Sequence, residues 1–221
     1  MTTNLQNLLM KIETQRREII ENDESVSLLE LEFKIKLKSF GYGPKREKLH
    51  QEFYDYKDTS FQEYSSHLKK FIGTKYDFLE TEDSGILKTK SGKDIIVKIS
   101  MEDAKGGFNF VQLRPYKKLD YYIFFCYSKK NDKLDIIVCD PEKLYHLLPD
   151  YGGYAHVGVK ELGEITKENI GLDKEYKDRN KYEYSLRPSL KEGNRKSSLL
   201  WEELKKKFLF VNENELLSKI P

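Results

Sequence analysis

The sequence predicts an α/β fold, a central mixed β-sheet flanked by helices, and three observations carry that prediction. Two short apolar, β-branched runs, Ile86-Leu87-Lys88-Thr89 and Ile95-Ile96-Val97-Lys98-Ile99, flank a Ser91-Gly92 turn and read as a hairpin. Two further β-rich runs, at residues 120–128 and 133–139, are joined by a Lys129-Lys130-Asn131-Asp132 turn. Apolar residues at helical spacing then lie on either side of this block, at residues 3–21 and from Leu199 to Phe208.

Composition sets the limits. A chain of 221 residues can bury one sizeable core, and a single domain is the default. It carries 39 Lys and Arg against 37 Asp and Glu, a formal charge of only +2, so any surface that attracts a polyanion has to be local. Fifteen Tyr and 12 Phe in a chain that is 34% charged argue against wholesale disorder. The N-terminus lacks the cationic start, apolar core and small-residue cleavage site of a secretory signal. No apolar run approaches the roughly 18 residues of a membrane span. The expectation is a cytoplasmic protein without a membrane partner. Cys126 and Cys139 have neither a CxxC spacing nor a neighbouring His, so they read as reduced core thiols. The histidines His50, His67, His146 and His156 are scattered and suggest no metal cluster.

Taken in order, residues 3–21 place Leu5, Leu8, Leu9, Ile12, Ile19 and Ile20 on one face of an amphipathic helix. From Val26 to Leu37, strict apolar alternation favours a strand, whereas the Leu, Glu and Lys content favours a helix. Gly41-Tyr42-Gly43-Pro44 is a stop. Residues 60–71 read as a helix ending near Gly73. In the second hairpin strand, alternation puts Asp94, Ile96 and Lys98 on one face and Ile95, Val97 and Ile99 on the other. Residues 101–107 form a connector whose Gly106-Gly107 permits either close backbone approach to a ligand or simply a turn. If residues 108–118 are helical, Phe108 and Val111 share a face with Gln112. Pro141 to Leu148 reads as a helix with proline in its first turn. Residues 150–196 form an excursion with a short strand at Tyr182 to Leu186 and a basic end at Arg187, Lys191, Arg195 and Lys196. The domain therefore divides into an N-terminal helical part (1–74), a sheet core (75–148) and a C-terminal excursion with a closing helix (149–221).

Two carboxylates and a lysine near one hairpin, Asp83, Asp94 and Lys98, are the parts of a metal-dependent phosphodiesterase site. Together with the segment GFNFVQLRPYKKLDYYIFF, the hairpin resembles the core of the PD-(D/E)xK nucleases, particularly type II restriction endonucleases. In that family an acid begins one strand, a second acid stands two residues before a lysine on the next, and a segment bearing Phe, Gln and Arg leads into a hydrophobic strand. Phe110 to Tyr127 matches the last part. The resemblance spans residues 75–140, and it departs from the pattern at two places. Ile96 stands two residues before Lys98, and Ile86 stands directly after the glycine where an acid is common.

What the resemblance implies is a restriction-endonuclease-like fold and a Mg²⁺-dependent DNA endonuclease. Asp83 and Asp94 would hold the metal, and Lys98 would address the attacking water. Lys105, Asn109, Gln112 and Arg114 would contact double-stranded DNA, and the enzyme would act as a homodimer on a short site. The resemblance also favours the helix over the strand at residues 26–37, with Glu30 or Glu32 near the active site. A catalytically inactive DNA-binding protein of the same fold and an unrelated interaction domain are the alternatives. Mg²⁺-dependent cleavage separates the first reading from the other two, and salt-sensitive DNA binding separates the second from the third.

Overall fold

The computed structural model of the chain describes residues 69, 72–83, 85–128, 130–131, 133–155, 164–170 and 183–220. The chain divides into two units, Met1–Ile72 and Gly73–Pro221, and the elements below belong to the second. The helices expected at 3–21 and 26–37, with Glu30 and Glu32, lie outside the described residues. So does most of the one expected at 60–71. Residues 72–76 are helical, with Gly73 inside the helical stretch and not at its end.

A six-stranded mixed sheet forms the centre, with helices beside it, as the sequence predicts. Its strands are β1 (Leu79–Glu80), β2 (Leu87–Lys88), β3 (Asp94–Met101), β5 (Tyr121–Ser128), β6 (Lys133–Cys139) and β9 (Leu209–Val211), adjacent in that order. Only β3 and β5 run parallel, Ile95 opposite Tyr121 through Met101 opposite Tyr127. Parallel neighbours need a long crossover. Residues 102–120 supply it, and they carry β4 (Phe110–Leu113) back over one face of the sheet. There β4 pairs with β8 (Tyr184–Leu186), which pairs with β7 (Gly152–Tyr154), to make a second, three-stranded antiparallel sheet. The described part of the excursion, through β7 and β8, therefore packs with the domain.

The hairpin turn forms where Gly92 is found, because its φ of +86° is unfavourable for residues with a Cβ. The Gly92 amide donates to the Thr89 carbonyl at 2.9 Å and closes the turn. Helix α1 (Pro141–Tyr145) starts behind Asp140, whose carboxylate accepts the Lys143 amide, with Pro141 occupying a position that needs no amide donor. Short α2 (Leu148–Tyr151) follows, and after β8 comes α3 (Lys196–Lys207). Helix α3 buries Leu200, Trp201 and Leu204 and ends in three lysines that complement the helix dipole. Helix α4 (Leu216–Lys219) closes the chain.

The helix considered for residues 108–118 is not formed; β4 takes its place. Phe110 and Leu113 are both buried, a spacing of three that suits a helix and would place them on opposite faces of a regular strand. A register shift between them, with Gln112 at φ +56°, turns both inward. Phe110 then stacks on Phe124 with ring centroids 4.2 Å apart, and Phe108 stacks on Trp201 at 5.4 Å. Each buried aromatic of this kind contributes about 1.5–3 kcal/mol. The core on this face joins Ile86, Ile96, Tyr122, Phe124 and Ile137 of the sheet side to β4, β8 and the helices. Cys126 and Cys139 are free thiols buried within it, as expected. Among the described residues no helix is long and apolar enough to cross a membrane.

Candidate functional site: a mixed-charge pocket at the start of β3

An open pocket of about 770 Å³ lies where the loop before β2, the first residue of β3 and the loop after β4 meet. The loop before β2 holds its shape through Thr81, whose hydroxyl donates to the Asp83 and Ile86 carbonyls at 3.2 and 3.1 Å. Gly85, at φ +83°, permits the turn in which the Ile86 amide donates to the Asp83 carbonyl. On the other wall, the Lys117 amide donates to the Arg114 carbonyl at 3.0 Å, closing a turn with Pro115 in its second position. That turn presents Arg114, Tyr116, Lys117 and Lys118 to the pocket. Asp120 ties the end of this loop to β3, accepting the Asp94 amide at 2.8 Å and the Lys93 ammonium at 3.1 Å.

Four basic residues (Lys88, Arg114, Lys117, Lys118) and three acidic ones (Glu82, Asp83, Asp94) line the cavity. Lys117 is ion-paired with Asp83, and Lys88 with Asp94 at 2.8 Å. The Lys88 and Asp94 side chains are 44% and 39% exposed, and a pair of this kind contributes about 0–1 kcal/mol, whereas Lys117 is 10% exposed beside a 58% exposed Asp83. A bound anion can therefore exchange for the Asp94 carboxylate at small cost.

Arg114 is held differently. Its Nε donates to Glu183 Oε1 at 3.0 Å, where the Glu183 side chain is 0% exposed and that of Arg114 18%. Its backbone amide donates to Tyr122 Oη at 2.9 Å, and Tyr145 Oη hydrogen-bonds both its carbonyl, at 3.3 Å, and Tyr122 Oη, at 3.2 Å. Burial pushes the Tyr122 and Tyr145 phenols up, so both stay protonated. Removing one partner from so buried an ion pair costs about 3–5 kcal/mol.

The structure thus brings Asp83, Asp94 and Arg114 of the expected residues to one pocket. Lys98 is not among the residues lining it. Four residues along β3, it stands about 13 Å from Asp94 at strand rise. Lys105, Asn109 and Gln112 do not line it either. Lys105 is exposed in the connector, Asn109 Oδ1 accepts Arg187 Nε at 3.3 Å, and Gln112 forms the β4 bulge. The connector glycines serve the protein itself: the Asp103 carboxylate accepts the amides of Lys105 and Gly107, and Gly106 packs against Lys191.

The register explains the two departures from the nuclease pattern. Leu87 pairs with Ile95 and Lys88 with Asp94, so the same register sets Ile86 across from Ile96. Both are buried, at 8% and 4% exposure, in one apolar core. Where the resemblance calls for an acid pair, two isoleucines pack. Mg²⁺ needs only one or two carboxylates, with waters and phosphate completing its shell, so Asp83 and Asp94 are a minimal donor set. No group of three or more His, Cys, Asp or Glu suited to a metal exists among the described residues.

Sequence reasoning missed Glu183 and the phenols. A signal for Glu183 was present: Gln112-Leu113-Arg114-Pro115 is echoed by Ser185-Leu186-Arg187-Pro188. The two segments pair antiparallel, which sets each arginine against the residue preceding the other strand, Glu183 or Asn109.

No protein-family model matches the chain, and no curated protein matches it. Among solved structures it is similar to one described as the crystal structure of MepB, at 14% identity and a TM-score of 0.36, covering 67% of this chain and 97% of that one.

Proposed function

We propose that the chain binds the phosphate backbone of double-stranded DNA through this pocket and is a non-cleaving counterpart of the nucleases it resembles in sequence. One observation carries the reading. At the place where the resemblance calls for an acid pair the sheet packs Ile86 into the same core as Ile96, while Arg114, Lys117 and Lys118 line the pocket together with Ile86. Cations near phosphate give binding its affinity and its salt dependence without chemistry.

The second reading is Mg²⁺-dependent hydrolysis by a homodimer, favoured by the placement of Asp83 and Asp94 in one pocket. In that case those two carboxylates would hold the ion, and Lys117 or Lys88, released from its carboxylate, would pair with the scissile phosphate. The ion would supply charge neutralisation at that phosphate.

The test is duplex binding by fluorescence anisotropy across a salt series, followed by incubation of the same duplexes with Mg²⁺ or Mn²⁺. The proposal expects binding that weakens steeply with salt, a weaker slope for Lys117→Ala with Lys118→Ala, and intact DNA. Cleavage lost in Asp83→Asn would establish the second reading. Binding insensitive to salt, or no binding, would defeat both.

A further inference from the structure

The buried polar cluster behind Arg114 is more than packing requires. Tyr122, Tyr145 and Glu183 are each at most 4% exposed beside a core made mostly of Ile, Leu and Phe, where Phe and Gln would fill similar volumes without a charge to neutralise. All three converge on one residue. They take its amide, its carbonyl and its Nε, and that residue is the arginine on the pocket wall.

We propose that Glu183, Tyr122 and Tyr145 are positioning residues that pre-orient the Arg114 guanidinium to grip one phosphate of the DNA backbone. The proposal rests on the DNA-binding reading above and adds to it which cation makes the geometry-dependent contact and what holds it. An arginine offers five donors in a planar fork. With Nε committed to Glu183, the terminal Nη groups are the ones left to face the cavity, an arrangement suited to a two-pronged phosphate contact. Lys117 and Lys118, on flexible stems, serve as point charges whose contact depends less on orientation. Fixing the fork before binding removes the ordering cost that a free side chain would incur at the moment of contact.

A double-mutant cycle tests it, with a fluorescent duplex as the probe and thermal unfolding as the fold control. Arg114→Ala should weaken binding about tenfold, the lower end for a charge-assisted contact, and reduce the salt slope by about 0.9. Glu183→Gln should weaken binding several-fold in the native background and not at all when Arg114→Ala is already present. Tyr145→Phe, a milder change that keeps the ring, should do the same to a smaller degree, and it keeps the test decisive where Glu183→Gln fails to fold. Arg114→Lys should restore the slope and not the affinity. Equal losses in both backgrounds, or native affinity in Tyr145→Phe and Glu183→Gln despite lowered melting temperatures, would make the cluster a stability device and overturn the proposal while DNA binding stands. A native protein that binds no duplex overturns both.

Discussion

Replacing Ile96 with glutamate restores the acid that the nuclease pattern calls for, and the structure says what this does to a chain that has packed the position. Ile96 is 4% exposed, so the substitution forfeits about 1.5–3 kcal/mol of apolar burial. The new carboxyl, lacking a cation in that core, stays neutral at pH 7 only by an upward shift of about two to three pKa units, at about 1.4 kcal/mol each. After partial relaxation the loss should be about 3–5 kcal/mol, against under 1.5 kcal/mol for Ile96→Val. Urea unfolding at several pH values measures it. Because the folded-state pKa is raised, the charge-related part of the loss vanishes below the unfolded pKa of about 4.3 and grows as pH rises toward the folded value. Adding Ile86→Asp puts the second carboxyl across the register pair. If the two then gather Mg²⁺, the ion at about 100 times its dissociation constant returns about 2.7 kcal/mol to the double variant. Native-like stability of Ile96→Glu, within about 0.5 kcal/mol at pH 7, would refute the filled site, because a position that accepts a carboxylate without loss is not in a packed core.

Phe110→Ala should cost about 3–5 kcal/mol in chemical unfolding, since its ring is buried and stacked on Phe124 at the junction of the two sheets. Asp120→Asn tests the loop that closes the pocket: burial raises the Asp120 carboxyl, but the Asp94 amide and Lys93 outweigh it and hold the group below the usual carboxylate range. A depressed pKa stabilises the fold above the unfolded value of about 3.9. The deficit of Asp120→Asn relative to the native chain should therefore be present at neutral pH and fade as pH falls through the carboxylate range. Burial pushes the Cys126 and Cys139 thiols well up, so a thiol reagent near neutral pH should modify neither until the protein is unfolded; modification of the native protein would show the core to be open.

What the sequence determined by itself was local. The β-branched run in Asp94–Met101, the Ser91-Gly92 turn and the β-rich run Tyr121–Ser128 specify their strands because branched and aromatic side chains suit an extended backbone and a turn needs a residue that tolerates positive φ. Pro141 and the Leu200, Trp201, Leu204 stripe likewise mark their helices. Tertiary structure decided the rest. The Phe110–Leu113 spacing suited a helix until a bulge, stabilised by the stack on Phe124, turned it into a strand. Glu183, which is 69 positions from Arg114 in the chain, becomes its partner only because β4 and β8 pair. The meaning of Ile86 and Ile96 was also non-local. As two apolar residues they are unremarkable in any strand, and only the β2–β3 register, setting one across from the other under a common core, shows that side-chain packing fills both positions.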